Sequence, residues 1–360
     1  MQRLLIAFVA LGSAACAHGP APNSPEEIDS LIRTMDKPES RARLAAIGDP
    51  ALPALAKAIT NPPGPRPDQA VRVLEMMWKK GRTAALDAYL EAVRKTPDDP
   101  AARRLLGHAH RFQDPEGRVF RVLEAALQNM RVVSPDMVAS AAAMSSVEAL
   151  ETLMQVVADS VDTPDASTRA LAMRYIGRAA RRGRLEATSF LTMCTQSTNG
   201  DVAIKAGAEL RLIAGRDAPK GWRAWWFEHS GGDRKAWLAA SFAPVGGKPF
   251  DPGHRDHLAE LVKRIPADAE AEPELWYLEQ AVGRSFGYVS PRDVFDPDVD
   301  PKELAASNQR AVGMAREWWN ENAPYLYFNS STGRYDVNEE GRRIGVPVDP
   351  KTGKPGGSQK

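Results

Sequence analysis

The residues best suited to metal chemistry lie in two histidine pairs. His254 and His257 are three positions apart with Asp256 between them, which would put both imidazoles on the first turn of a helix. A further carboxylate could complete a metal site there, but the same residues also suit a solvated helix start. His108 and His110 are two apart and would point in different directions on a helix. We therefore expect no metal site and no cofactor.

A second chemical motif is the acidic run DPDVDP, with Asp296, Asp298 and Asp300 at alternate positions. This spacing opens an EF-hand calcium loop. The position that needs glycine is Pro301, and the position that needs glutamate is Ser307. The run therefore predicts a helix-capping loop, with a weak irregular calcium site as the alternative.

Signals for covalent catalysis are scarce. The sequence has no G-x-S-x-G, H-E-x-x-H or Walker-type glycine loop. Cys194 lies on the apolar face of a predicted helix, where a buried thiol is the usual finding. We expect a protein that is not an enzyme and has no catalytic residue; an enzyme with an unrecognised site stays open as an alternative.

The elements around these residues form a repeat. Five segments of similar pattern start roughly 35 residues apart, each with a turn and then apolar residues at helical spacing. A second helix fits between successive starts. The segments are IGDPALPALAKAI, KKGRTAALDAYLEAV, FQDPEGRVFRVLEAAL, SSVEALETLMQVV and RRGRLEATSFLTMC. This pattern predicts an all-α chain whose residues 27–215 stack as an alpha-solenoid.

IGDPALPALAKAI resembles a HEAT repeat, with a Gly-Asp-Pro turn, Pro53 early in the second helix, and leucine and alanine at helical spacing. The other four segments are looser matches. The resemblance implies a right-handed HEAT-like solenoid, and a generic helical repeat is the alternative.

The composition changes near residue 216. Seven of the eight tryptophans lie from Trp222 onward, so we expect a Trp-rich helical closing subdomain over residues 216–345 and a flexible tail over 346–360. Trp222, Trp225 and Trp226 share one helix face, which fits a cap over the last repeat. The alternative is a stacking surface for sugars or peptides, with Trp222 and Trp225 as binding candidates.

The string ELRLIAGRDAPKGWRAWWFEH resembles the closing segment of HEAT-repeat proteins from bacterial envelopes, in which a Leu-rich helix leads through a loop to a Trp-x-x-Trp-Trp helix. AREWWNENAPYLYF has a similar character. The resemblance implies an envelope protein and carries no catalytic residues.

Arginines supply the second set of binding candidates. RYIGRAARRGR contains Arg174, Arg178, Arg181, Arg182 and Arg184, and some of these could line one concave face if the helices stack in register. The first four are the binding candidates. Such a positive face would suit an acidic protein partner. The alternative is scattered arginines paired with nearby carboxylates.

The N-terminus has the three parts of a secretory signal: Arg3, the apolar run at 4–11, and small residues up to Cys16. The apolar run is shorter than the ~20 residues of a spanning helix. SAAC resembles the bacterial lipobox at Ala14, Ala15 and Cys16 and departs from it at Ser13, where leucine is usual. The resemblance implies a lipid on Cys16. We expect a signal over residues 1–16 and a tether over 17–26, with ordinary cleavage as the alternative.

The overall charge is nearly balanced. The formal net charge is +1, so no global field attracts nucleic acid, and we expect no nucleic-acid partner. The predicted function is a non-enzymatic scaffold in the bacterial cell envelope. It would be exported, anchored to the membrane through Cys16, and bind an envelope protein on the solenoid surface. A glycan- or peptidoglycan-binding protein that uses the C-terminal aromatics is the alternative.

Overall fold

The computed structural model describes residues 21–60, 66–95, 104–128, 133–144, 146–158, 166–266, 271–295 and 299–355. Helices dominate these ranges, and their only sheet is a two-stranded hairpin. The predicted all-α class is confirmed at this level. The chain divides into two compact units, one up to Leu105 and one from Leu106.

The first unit is built from consecutive helices that pack on their chain neighbours. Ser24 caps the first of them by accepting a hydrogen bond from the Glu27 amide at 3.2 Å. The helix α4 contacts α2, α3 and α5, and the Tyr89 hydroxyl of α5 donates to the Leu105 carbonyl at 2.8 Å. The helices are α1 (Pro25–Arg33), α2 (Pro38–Ile47), α3 (Leu52–Thr60), α4 (Arg66–Lys79) and α5 (Thr83–Arg94).

The second unit begins with six helices of the same kind. They are α6 (Arg118–Gln128), α7 (Pro135–Met144), α8 (Val147–Ala158), α9 (Ala166–Arg181), α10 (Leu185–Cys194) and α11 (Gly200–Ala214). The helix α9 contacts α7, α8, α10 and α11, so its helical neighbours in space are also its neighbours along the chain. Asn199 caps α11, and Gly215 ends it with a left-handed φ of 74°.

Most of the remaining elements share one apolar core in the same unit. Leu258, Leu275, Val312, Leu326 and Tyr335 are buried there among other apolar side chains. Asp300 caps the longest helix by accepting from the Lys302 amide at 2.8 Å, as the capping-loop prediction required. The elements are α12 (Trp222–His229), α13 (Arg234–Ser241), α14 (Arg255–Arg264), α15 (Glu272–Val282), α16 (Pro301–Asn322), β1 (Leu326–Asn329), β2 (Arg334–Val337) and α17 (Glu339–Ile344).

The hairpin of β1 and β2 was not expected, because no sustained alternation marks it in the sequence. Each strand has only four residues, and the register pairs Leu326 with Val337. Residues 346–355 lie against it: Val348 is buried, and its amide donates to the Pro324 carbonyl at 3.0 Å. The flexible tail predicted over residues 346–360 stays a prediction, because a single structure does not measure motion. The predicted domain boundaries also stay predictions.

Candidate functional site

The four predicted arginines of α9 and its end have different environments. Arg181 is buried, Arg174 and Arg178 are half-buried, and Arg182 is exposed. Residues 289–295, called here the covering segment, include a short 3-10 turn that contacts α9. The arginines therefore do not form one open binding face.

Arg181 lies at the centre of a buried ion network. Its guanidinium is 2.7 Å from Glu209, 3.2 Å from Glu272 and 2.6 Å from Asp293. The outer pairs are Arg234 with Glu272 at 3.0 Å and Arg292 with Glu209 at 2.9 Å. Three cations face three carboxylates, so the charge of Arg181 is balanced inside the protein and is closed to a partner.

Burial and pairing act in opposite directions on this network. Burial would lower the pKa of Arg181, but Glu272, Glu209 and Asp293 together raise it above its ordinary value. For Arg234, burial prevails and lowers the pKa to about 10 despite the attraction of Glu272. Both guanidiniums therefore stay protonated at neutral pH.

Gly177 makes room for the network. A Cβ atom built on this glycine would lie 2.1 Å from the Glu209 Oε2 atom, closer than any stable contact. The glycine thus lets the carboxylate reach Arg181 one helical turn further along α9.

The covering segment also occupies Arg174 and Arg178. Arg174 donates to the Arg292 and Val294 carbonyls at 2.9 and 2.7 Å. The Phe295 ring lies 4.9 Å from the Arg174 guanidinium carbon and 5.5 Å from that of Arg178. These contacts fix both side chains in place.

A small cavity lies beside the end of α9. It has a volume of about 180 Å³, and its lining includes Arg178, Arg182, Arg184 and Ser146. We call this hollow the arginine cavity. Of the four binding candidates among the arginines, it brings together only Arg178 and Arg182, with Arg184 of the same basic group beside them.

A larger hollow of about 600 Å³ shares Ser146 with the arginine cavity. Its lining is acidic, with Asp114, Glu124 and Glu148 among the residues. The Asp114 carboxylate accepts from the Arg118 amide at 2.6 Å, so it already caps α6. Two of these carboxylates thus serve helix starts, Asp114 at α6 and Glu148, through Ser146, at α8.

Trp222 and Trp225 form part of a packed aromatic cluster. Trp225 is buried, with Trp222 edge-on at 5.6 Å, Trp237 edge-on at 5.2 Å and His229 stacked at 5.2 Å between ring centroids. Trp222 is half-buried. The enclosed ring of Trp225 offers no free face to a glycan, whereas the half-buried Trp222 keeps part of its surface exposed.

Two further aromatics of α12 lie beside this cluster: Phe227 is exposed and Trp226 is half-buried, as Trp222 is. Trp226 and Arg223 line two adjoining hollows of about 350 and 660 Å³, one bordered by Met193 of α10 and the other by Phe227. The Phe227 side chain is 89% exposed and Met193 is 63% exposed. We call these four residues and the two hollows the tryptophan groove.

The histidine candidates have structural partners, whereas Cys194 is a free thiol that is half-buried rather than buried as expected. The His257 Nδ1 atom accepts from the Asp251 amide at 2.8 Å, and the His254 ring stacks on it at 5.0 Å. The His110 amide donates to the Ser140 Oγ atom at 2.8 Å, and the His110 Nδ1 atom lies 3.3 Å from the same hydroxyl. Burial raises the pKa of the Cys194 thiol to about 11, so this thiol is protonated at neutral pH.

In the part of the chain that the structure describes, no group of three or more His, Cys, Asp or Glu side chains could hold a metal ion. No helix in those ranges is both long and apolar enough to cross a membrane. Cys16, Asp296 and Asp298 lie outside the described residues.

Sequence reasoning did not select Met193 or Phe227. For Phe227 a signal was present: it follows Trp222 by five positions, so it leaves the face that the three tryptophans share. The exposure of Met193 had no such signal, because it depends on which neighbour covers α10.

No protein-family model matches the chain, and no curated protein matches its sequence.

Proposed function

We propose that the protein is a non-enzymatic scaffold that binds a protein partner, and that the tryptophan groove is the contact surface. The observation that carries this proposal is the exposure of Phe227 and Met193 on either side of Trp226. Soluble chains rarely expose large apolar side chains side by side unless a partner covers them. Aromatic residues and arginine also dominate the binding energy of protein interfaces.

The groove favours a partner segment with one or two apolar side chains and a neighbouring carboxylate. The apolar side chains would contact Trp226 and Phe227 in the two hollows. Arg223 is exposed and forms no ion pair among the described residues, so it can receive the carboxylate at the rim.

The repeat interpretation supports a scaffold. The sequential contacts of α6 to α11 fit a HEAT-like solenoid, which presents an extended surface built from successive helix pairs. In this proposal the tryptophan cluster of α12 and α13 closes the last repeat and forms a Trp-rich terminal subdomain.

The bacterial envelope is the proposed location, and the lipid on Cys16 is the proposed anchor. The support is the N-terminal pattern and the resemblance of SAAC to the lipobox. The intact mass of protein from the native membrane fraction tests this. A chain that starts at Cys16 with diacylglycerol and acyl groups supports the anchor, and an unmodified chain contradicts it.

The binding proposal is tested by affinity capture from the native membrane fraction, with the variants Phe227→Glu and Ile204→Glu compared against the unaltered chain. Ile204 is 74% exposed on α11 and lines neither hollow, so it is a matched control. We expect a specific protein to be lost with Phe227→Glu and retained with Ile204→Glu.

Equal capture by both variants would contradict the groove as the contact surface. Cosedimentation with purified peptidoglycan tests the glycan alternative, which the exposed ring of Phe227 favours. If the unaltered chain binds peptidoglycan and Phe227→Glu does not, the partner of the groove is a glycan and the protein-partner proposal is wrong.

A further inference from the structure

The tryptophan groove has hydrogen-bond donors without acceptors. Among the described residues, the Trp226 indole N–H, the Arg223 guanidinium and the Gln196 side-chain amide have no hydrogen-bond partner, and all three side chains line the hollows. Trp237 of the next helix, in contrast, donates its indole N–H to the His229 carbonyl at 3.1 Å. A partner that covers the groove removes water from these donors, and a buried donor without an acceptor weakens binding. The partner must therefore bring acceptors as well as apolar surface.

The need for acceptors favours an extended partner over a helical one. In a helix most backbone carbonyls already accept from N–H groups of the same helix, so its side presents few free acceptors. A polyproline II segment has no internal hydrogen bonds, so all of its carbonyls are free to accept. Such a segment can offer carbonyl oxygens to Trp226 and Gln196 while its side chains enter the hollows.

The ring of Trp226 is held in place before a partner binds. It packs against Trp225 and Trp237, with ring centroids 6.4 and 6.1 Å away, and it stays half-buried. A ring held in this way loses little conformational entropy on binding. Proline also loses little, because its φ angle is already fixed, and proline-rich segments dock in aromatic-lined grooves. Three residues per turn place prolines at i and i+3 on one side of the segment, which suits two adjoining hollows.

The unmatched charge of the groove is positive. Lys220 and Glu228 line one hollow and pair with each other at 3.5 Å. Arg223 lines both hollows and forms no ion pair among the described residues. An acidic residue close to the prolines of the partner would complement this charge.

We propose that the tryptophan groove binds a proline-rich segment in the polyproline II conformation, with an acidic residue next to the prolines. This inference rests on the proposed function, because it identifies the partner of the same groove. The prolines contact Trp226 and Phe227, and the acidic side chain pairs with Arg223. A backbone carbonyl of the segment accepts from the Trp226 indole N–H.

The test uses fluorescently labelled peptides selected on the full chain from two displayed libraries of equal length. One library has a fixed Pro-x-x-Pro core, and the other has a helix-forming core with leucines at helical spacing. We expect binders from the proline library and none from the helical one, measured by fluorescence polarisation. Trp226→Phe keeps an aromatic ring and removes the N–H, so it should weaken binding about tenfold. Arg223→Gln should weaken only the peptides that contain an acidic residue.

Trp222→Phe is the matched control, because Trp222 lies on the same helix and lines neither hollow. Its affinity should equal that of the unaltered chain, and thermal melts check that both variants fold. The inference is overturned if the proline library gives no binder, if the helical library gives tighter ones, or if the two variants bind equally well. Proline peptides that still bind to Phe227→Glu would lie outside the groove and would overturn it too. Affinity capture with Phe227→Glu tests the proposed function separately, so a captured partner with no proline binder would contradict this inference alone.

Discussion

Gly177 controls how closely α9 and α11 can approach at the ion network. Gly177→Ala would force the Glu209 carboxylate away from Arg181, since the new Cβ would sit 2.1 Å from its Oε2 atom. We expect a loss of about 1–3 kcal/mol in the free energy of unfolding. Gly313→Ala is the control: Gly313 lies in α16 with no atom within 4 Å, so alanine should stabilise by about 0.5–1 kcal/mol. Urea unfolding of both variants measures the difference.

Arg181 supplies a second prediction at the scale of one side chain. Arg181→Met would leave Glu209, Glu272 and Asp293 without their central cation in a buried site. We expect a loss of about 3–5 kcal/mol in the free energy of unfolding. Arg182→Met, next in the chain but exposed, should change it by less than about 0.5 kcal/mol. Similar urea midpoints for the two variants would show that the network contributes little.

Cys194 should react slowly in the folded protein. Its pKa of about 11 leaves the thiol almost wholly protonated at pH 8, whereas an unfolded cysteine with a pKa of about 8.5 is partly ionised. In a chain that carries Cys16→Ser, we expect Ellman's reagent at pH 8 to react at least about tenfold faster in urea than in buffer. The folded rate should rise as the pH approaches 11. Equal rates at pH 8 would contradict a shielded thiol.

At the scale of elements, α12 has two faces with different roles. One face places Trp225 against Trp222 and Trp237, and the other exposes Phe227. The first face packs inside the protein, and the second face is available to a partner. A helix of eight residues therefore closes a core and carries the proposed contact surface.

The two faces should respond differently to truncation. Trp225→Ala should cost about 3–5 kcal/mol in the free energy of unfolding, because it empties the centre of the aromatic cluster. Phe227→Ala should change stability by less than about 0.5 kcal/mol. Chemical denaturation followed by circular dichroism measures both. A large loss for Phe227→Ala would mean that the ring packs inside the protein.

The sequence predicted elements better than it predicted the site. The helices at 166–181 and 200–214 agree with α9 and α11, because apolar periodicity and the Asn199 cap are local signals. The four-residue strands are too short to show an alternation. The burial of Arg181 depends on carboxylates 28 and 112 positions away, which no local pattern encodes.

At the scale of the whole molecule, the ion network links helices on both sides of the predicted boundary at residue 215. Arg181 and Glu209 precede it, whereas Arg234, Glu272 and Asp293 follow it. A fragment of residues 106–215 would therefore keep the buried cation and lose two of its three carboxylates.

We expect the fragment 106–215 to unfold without a cooperative transition, and the fragment 106–355 to retain one. Thermal melts followed by circular dichroism compare the two fragments directly. A cooperative melt of 106–215 would show that the helices up to α11 fold independently of the network.

The members of the network are far apart along the chain, so they are translated at different times. Asp293 follows Arg181 by 112 residues, so a ribosome that adds about 5–20 residues per second delivers it roughly 6–20 s later. During that interval the nascent chain has no carboxylate from the covering segment to offer Arg181. The end of α9 must then stay hydrated, and its final burial waits for the last quarter of the protein.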